Sequence, residues 1–583
     1  MESFRRIGLE IVLTALALGV AGDSLLRSVP WGLNVPVMAL LAVTAVVVLR
    51  YRADGSLPSA RAGLLFGAVI FFSSWFAIRD SEPLLFLNAL AIALIGTILF
   101  LPSIKLPVRG SGVIHYFLSG VATAFWTAFL PFIVITKDVS WNDLASNGRS
   151  RKALLALRGI LIATPLVMIF GALFIAADAA FEGLVENTFR IVPEELFLHA
   201  FFTAFFAWPA AGYLRAMALG VSPIEKPAES AEEKSSKRDF SEGGIASVTA
   251  SEKAEDSDPP IFGSAHVPSV TASEAEIRGD AVEVKEARPV DKNGVLPNID
   301  WRDLNNSLVP EFLTLGPIEI GVVLGSLNVL FLAFVLVQLP YLFGGMDLVQ
   351  AQPGLKLADY ARRGFGELFV ASILVLPMLM VLHWLIRRES ARALTLFRYL
   401  AATQIGLLFV IMLSAFQRMV LLTGDLGYGM TAGRFYPMAF MIWLAVVFLI
   451  FGLTVLRGQR NRFAWHAAMS ALVVVAILNF VNPDYYIVRT NLELMRQGRS
   501  FDAVYNSHLS ADAFPALVEA YPELNEVQKN EVLGGMNDRR CFRPPIRDLR
   551  IWNLSRQASQ ASNFYKLHVI DGDCSWMRDR GFD

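Results

Sequence analysis

Arg418, then Tyr428-Gly429-Met430-Thr431-Ala432-Gly433-Arg434, then two apolar spans, then Asn482-Pro483-Asp484 and Asn491: this stretch decides how the chain reads. Two cations and a glycine-rich turn sit between spans that look buried in lipid. A bilayer tolerates such groups only where protein or water solvates them, because hydrocarbon offers no hydrogen-bond partner. The other spans are therefore expected to pack around this place. The fold class that follows is an all-α polytopic integral membrane protein with a polar centre and a small all-helical C-terminal domain.

Composition agrees. The 583 residues are 54% hydrophobic and 18% charged, with a formal net charge of -1, and the mean hydropathy is +0.49. A near-neutral chain has no global field for nucleic acid. Apolar stretches recur at the length needed to cross a hydrocarbon core of roughly 30 Å, and about 11–13 transmembrane helices are expected. The first, Gly8 to Leu26, contains Glu10 and leads directly into further spans, so it reads as a transmembrane helix and not as a cleavable signal.

Residues 1–220 form an expected N-terminal bundle of about seven spans, with the fifth at Val113–Ile135, the sixth at Leu154–Ala177 and the seventh at Leu196–Leu219. Residues 221–300 change character. From Ser222 to Asp300 there are 17 acidic against 9 basic side chains and few large apolar ones. Such a segment cannot bury enough apolar surface to offset its ordering entropy, so it reads as a disordered acidic linker. Residues 301–482 resume with about five spans. Residues 483–583 read as a soluble helical tail, with Ser510 as an N-cap and Asp512 favourable in the first turn that follows.

Positive charge sets the expected orientation. Arg5 and Arg6, the group Arg50, Arg52 and Arg61, then Arg387, Arg388 and Arg392, then Arg457, Arg460 and Arg462 all point to the cytoplasm. The N-terminus and the linker are then inside and the tail is outside. One conflict stands. Lys137, Arg149, Arg151 and Lys152 also point to the cytoplasm, yet a single crossing at Val113–Ile135 puts them outside. Either that span is a re-entrant pair broken near Ser119-Gly120, or another span is miscounted.

Arg418, Tyr428, Thr431, Arg434 and Asp178 are the candidate ligand-binding residues. Arg418 shares a helical face with Ser414 and Gln404, which is either a polar track or a charge snorkelling to the interface. Tyr428 through Arg434 is either an anion site made of backbone N–H groups and Arg434, or a connecting turn whose glycines supply positive φ. Asp178 either pairs with Arg418 or Arg434 across the two halves or lies among headgroups. Glu319 and Glu367 read as interfacial. His115, His199, His383 and His466 occur singly, so no metal and no cofactor are expected, and no catalytic constellation is visible. Cys541 and Cys574 are the only cysteines, and they form a disulfide if the tail is exported.

The run Tyr428-Gly429-Met430-Thr431 with Arg434 resembles the Tyr-Gly-Leu-Thr-x-x-Arg signature of a bacterial membrane family, domain of unknown function 4173 (DUF4173), whose sister is numbered 4153 (DUF4153). Met430 stands where Leu is usual. Ala177-Asp178-Ala179-Ala180-Phe181, Asn482-Pro483-Asp484 and Asn491 fit as well. So do Asp502 through Tyr505, Leu509-Ser510, Asp512-Ala513, Pro515 and Asn553-Leu554-Ser555-Arg556. The resemblance covers most of the chain outside the linker. It implies a multi-pass protein of the bacterial inner membrane and no particular reaction. The expected function is non-enzymatic: small-molecule or ion transport, or an envelope scaffold or sensor whose tail meets a partner protein. The rival is a membrane-embedded transferase acting on lipid-linked substrates. A cluster of Asp, Glu or His on an exported loop beside the membrane would favour the rival.

Overall fold

A computed structural model describes residues 2–104, 106–139, 193–221, 314–343, 357–386, 390–424, 428–542 and 548–568. The structure is helical, and among the described residues the one bridge outside helices pairs Leu315 with Ile386. Among the described residues, ten helices are long and apolar enough to cross a membrane. The expected linker, the span at Leu154–Ala177, Asp178 and Cys574 lie outside the described residues.

Five helices open the chain: α1 (Glu2–Leu26), α2 (Asn34–Asp54), α3 (Ala60–Ile78), α4 (Glu82–Phe100) and α5 (Val113–Ile133). After the undescribed stretch comes α6 (Pro193–Leu219). The second half holds α7 (Pro317–Phe343), α8 (Leu357–Leu385), α9 (Ala391–Thr423), α10 (Ala432–Thr454) and α11 (Arg460–Val481). Local signals place the ends. Ser59 accepts from Ala62 N and Ser390 from Ala393 N, each satisfying one orphan donor of a helix start. Gly55, at φ +67, closes α2.

The tail begins without a break. Asn482 adopts a left-handed φ of +54, ends α11, and caps α12 (Pro483–Arg496) by accepting from Tyr485 N. Pro483 at the first position of α12 has no N–H to lose. Then come α13 (Ala503–Ser507), a 3₁₀ turn at Ala511–Ala513, α14 (Phe514–Ala520), α15 (Glu526–Phe542), α16 (Leu554–Ala561) and α17 (Asn563–His568). The α-helix after Asp512 ends at Ala520, ahead of Pro522, which cannot continue its ladder, and a 3₁₀ turn at Tyr521–Glu523 carries the proline. The tail packs a core of its own around Val488, Leu492, Phe514, Leu517, Val532 and Met536. Cys541 lies in the last turn of α15.

Two cores fill the membrane region. One gathers Ile11, Leu49, Phe66, Ile95 and Leu214 from the first half. The other gathers Leu324, Leu379, Phe397, Leu408 and Phe448 from the second. Helix α11 serves both, since Leu472 packs into the first and Phe463 into the second. Beside it, Asn88 of α4 and Asn479 of α11 are fully buried and exchange amide hydrogen bonds of 2.9 and 2.8 Å. Each amide also donates to its own helix. A paired amide in an apolar span meets its own desolvation cost and fixes the register of the two helices.

Helix α5 departs from the sequence-based expectation. It runs unbroken through Ser119-Gly120, so it is no re-entrant pair hinged there. Its start follows the 101–112 connection at the end of α4 away from the tail. Its continuation is a π turn at Val134–Asp138. There the fully buried Arg215 of α6 donates through Nε to Asp138 Oδ2 at 2.7 Å and through Nη1 to Gly220 O at 2.6 Å. The backbone of Asp138 also lies so close to Gly8, near the start of α1, that a Cβ there would clash with its carbonyl. Helix α6 runs antiparallel to α1, with His199 on Asp23 at the opposite end. Both ends of α5 therefore sit at one end of the bundle. Lys137 and Arg109 then fall at the same end of the bundle, in line with their shared positive charge.

With the native cysteines replaced, single cysteines at Gly110 and at Lys137 are expected to react with an impermeant maleimide from one and the same face of the membrane, the face that labels Arg457→Cys. Labelling of the two from opposite faces would make α5 an ordinary crossing.

Candidate functional site

The α3–α4 turn, Arg79-Asp80-Ser81, is where the tail meets the first half. Asp512 Oδ2 accepts from the backbone N–H of Asp80 at 2.8 Å and of Ser81 at 2.9 Å, at the start of α4. Asp80 Oδ2 in turn accepts from Ala511 N at 3.1 Å, at the start of the 3₁₀ turn. Each carboxylate thus caps a helix start on the other side of the joint. Both positions suit an anion, because exposed N–H groups and the helix dipole converge there. Asp80 and Asp512 are both 2% exposed.

Two guanidinium groups offset the two carboxylates. Arg556 Nε lies 3.3 Å from Asp80 Oδ1, and Arg79 Nη1 lies 3.8 Å from Asp512 Oδ1. Arg79 also donates to Asn479 O at 2.9 Å, beside the buried asparagine pair. Ser555 Oγ lies 2.5 Å from Asp512 Oδ1 and 2.9 Å from Ile78 O, so its single proton is shared between the tail and the end of α3. Burial pushes the Asp512 carboxyl above the usual carboxylate range, while Ser555, the Asp80 backbone and Arg79 hold it down. A carboxyl raised in the docked state binds its proton more tightly there. The stability that this proton linkage adds is therefore greatest in acid and is lost as pH rises through the raised pKa, leaving the hydrogen bonds of the carboxylate to hold the joint.

The last turn of α3 has its orphan carbonyls filled from the tail. Asn553 donates to Phe76 O at 2.9 Å and to Arg79 O at 2.7 Å, while its own side-chain oxygen caps α16. Arg556 reaches Trp31 O at 2.6 Å, and Leu33 N donates to Trp552 O at 2.9 Å. The connection between α1 and α2 is joined in the same way as the turn between α3 and α4.

The second half is held at Tyr428-Gly429-Met430-Thr431. Asn491 on α12 accepts from Met430 N at 2.5 Å and donates to Met430 O at 2.9 Å. One amide side chain so replaces a strand partner for the turn. Asn506 holds that amide in place by accepting from it at 2.9 Å. Gly429 sits at φ +69, and a Cβ there would lie 2.8 Å from Asn491 Oδ1, so glycine is required on both counts. Tyr505 accepts from Ala432 N at 2.7 Å, and burial raises its hydroxyl pKa, which keeps it protonated. Asn482 donates to Asp512 O at 3.2 Å, and Asp484 accepts from Ser510 Oγ at 2.5 Å.

The candidate residues named from the sequence divide. Arg434 donates to Tyr428 O at 2.8 Å and also to Gly429 O, so its guanidinium closes the turn. Tyr428 is exposed, and Thr431 is half-buried at the cap position of α10 without a side-chain cap bond. Arg418 is half-buried five residues before the end of α9, far along a helix of 33 residues. Gln404 and Ser414 are buried on that helix. Asp178 lies outside the described residues, so its pairing with Arg418 or Arg434 stays an expectation. Sequence reasoning passes over Asp80 as a loop residue and over Asn88 and Asn479 entirely. A lone asparagine in an apolar span is the signal that could have found the last two.

Between the α3–α4 turn, the start of α10 and the tail lies a cleft of about 330 Å³, lined by Asp80, Glu82, Asp484, His508, Ser510 and Asp538 among others. Asp80 and Asp484 already accept from the protein. His508 Nε2 is 3.9 Å from Asp538 Oδ2. Among the described residues no group of three or more His, Cys, Asp or Glu is placed to hold a metal ion.

A family model described as "Domain of unknown function (DUF4153)" matches residues 66–250 and 296–520. This is the sister of the family that the Tyr428–Arg434 signature resembles. Its second match takes in Tyr428–Arg434, Asn491 and Asp512, while Asn553–Arg556 lies beyond its end. No curated protein matches the chain, and no solved structure does.

Replacing Asp80 or Asp512 with Ala strands buried donors and an arginine, and each change is expected to cost about 2–4 kcal/mol. The double variant should cost clearly less than the sum of the two, read as thermal stability in detergent. Additive losses would show that the two carboxylates do not share one network.

Proposed function

The chain belongs to the DUF4153 family, and from that premise we infer that it is a non-enzymatic inner-membrane protein that presents its helical tail as a fixed platform to a partner in the envelope. The observation that carries this reading is the double attachment of the tail: Asp512 to the α3–α4 turn and Asn491 to the α9–α10 turn. A domain bonded to both halves at one end of the bundle is held at a set distance from the membrane. The same bonds oppose the rocking of one half against the other that alternating access requires, which counts against the transport reading. The Tyr428–Arg434 signature also makes the DUF4173 family a proposed relative.

Charge supports an exported tail. Arg50, Arg52, Arg61, Arg109, Lys137, Arg392, Arg457, Arg460 and Arg462 gather at the bundle end opposite the tail, and basic loops stay in the cytoplasm. This arrangement calls for one crossing between Asp138 and the start of α6, and the sequence-based expectation of a span at 154–177 is consistent with it. In the exported compartment a Cys541–Cys574 disulfide becomes favourable.

The rival transferase reading draws on one observation, the carboxylate-lined cleft at the membrane surface. Since Asp80 and Asp484 there are engaged by backbone and serine donors, the cleft is better suited to holding a group than to moving a proton.

A phosphatase fused after Asp583 is expected to be active and a cytosolic fluorescent reporter at the same point dark, and the reverse pattern would place the tail in the cytoplasm. In a deletion strain with an envelope phenotype, the full chain should complement. A variant carrying Asp512→Lys, inserted at normal levels but with its tail released, should not. Full complementation by the released tail would contradict the platform reading.

A further inference from the structure

Directly below the acidic cleft, on the same two helices, lies a second concavity. It is an apolar groove of about 470 Å³ between α4 and α10, floored by α11, with Leu87, Leu94, Phe440, Trp443, Val475 and Leu478 among its walls. The two spaces form one seam. Pro83 and Ala432 line the upper space, and Leu87 and Tyr436, each four residues further along the same helix, line the lower. Tyr436 lines the top of the groove, its hydroxyl 3.4 Å from Ser81 Oγ at the joint.

The groove has the depth of one leaflet. Leu94 lies 12 residues into α4, about 18 Å at 1.5 Å per residue, against a half-core of about 15 Å. An occupant with an apolar chain in the groove has its polar end in the cleft above. Among the described residues that cleft is lined by four carboxylates, Asp80, Glu82, Asp484 and Asp538, and by no lysine or arginine. Asp80 and Asp484 are engaged by Arg556, Ala511 and Ser510, and His508 lies beside Asp538, so the net negative charge of the cleft rests mainly on Glu82 and Asp538 and favours an ammonium group over a second anion.

We propose that the α4–α10 seam is a binding site for one phospholipid with a primary-amine headgroup, taken from the tail-side leaflet, its acyl chain in the groove and its ammonium group in the cleft. The site goes beyond the platform reading and does not depend on it. A lipid seated there touches the α3–α4 turn, the start of α10 and the tail together. It therefore adds a third component to the joint.

The test uses the full chain, delipidated in detergent and titrated with phosphatidylethanolamine, phosphatidylglycerol or phosphatidylcholine of matched chains, with bound lipid counted by native mass spectrometry. One phosphatidylethanolamine is expected to be retained at least about tenfold more tightly than either competitor, a difference of about 1.4 kcal/mol. Glu82→Gln with Asp538→Asn should abolish that preference while leaving chain binding in place. Ala439→Phe, which fills the groove, should abolish retention of all three, with helicity by circular dichroism confirming the fold of each variant. Equal retention of phosphatidylglycerol, or an undiminished preference in the Gln/Asn variant, would overturn the proposal.

Discussion

Two buried carboxylates each cap the helix start that belongs to the other, and the rest of the arrangement depends on this exchange. Asp512 takes the N–H groups at the start of α4, and Asp80 takes one at the start of the tail's 3₁₀ turn. A carboxylate desolvated on both sides of an interface is costly unless its acceptor sites are filled. Here backbone donors, Ser555, Arg79 and Arg556 fill them. The network is therefore favourable only when complete, which ties the docking of the tail to the correct packing of the first half.

The exchange also explains why the two halves stay in register. Arg79 touches Asp512 on one side and the backbone of Asn479 on the other. Asn479 is locked to Asn88 within the span. Helix α11, which carries Asn479, contributes to both membrane cores and leads through Asn482 into the tail. One continuous set of polar contacts thus runs from the tail-side ends of α4 and α11 into the tail.

Much of this is legible in the sequence. Apolar lengths mark the helices of the second half within about five residues, except for α8, which starts at Leu357, well before the apolar run that opens at Leu368, and Ser510 and Asn482 are readable as caps. The glycine turn is readable as a turn, because a positive φ at Gly429 has few other solutions. The signature residues Tyr428 to Arg434, Asn482 to Asp484, Asn491, Asp512 and Asn553 to Arg556 are separate stretches in the sequence, and the fold brings them to one joint. That convergence is not legible, since it depends on contacts such as Asp80 to Asp512, separated by more than 400 residues. The course of α5 is hidden for a related reason. Length and hydropathy give a helix the capacity to cross, whereas the pairing of Asp138 with Arg215 decides where it ends.

Both the joint and the platform require a tail fixed to the two halves at once. Electron spin resonance distances test this directly, with one label at the exposed Val527 of the tail and the other at Val29 of the first half or Tyr428 of the second. A single narrow distance distribution is expected for each pair in lipid nanodiscs. A broad or two-peaked distribution for either pair would show a tail that swings free of that half, and would contradict the double attachment.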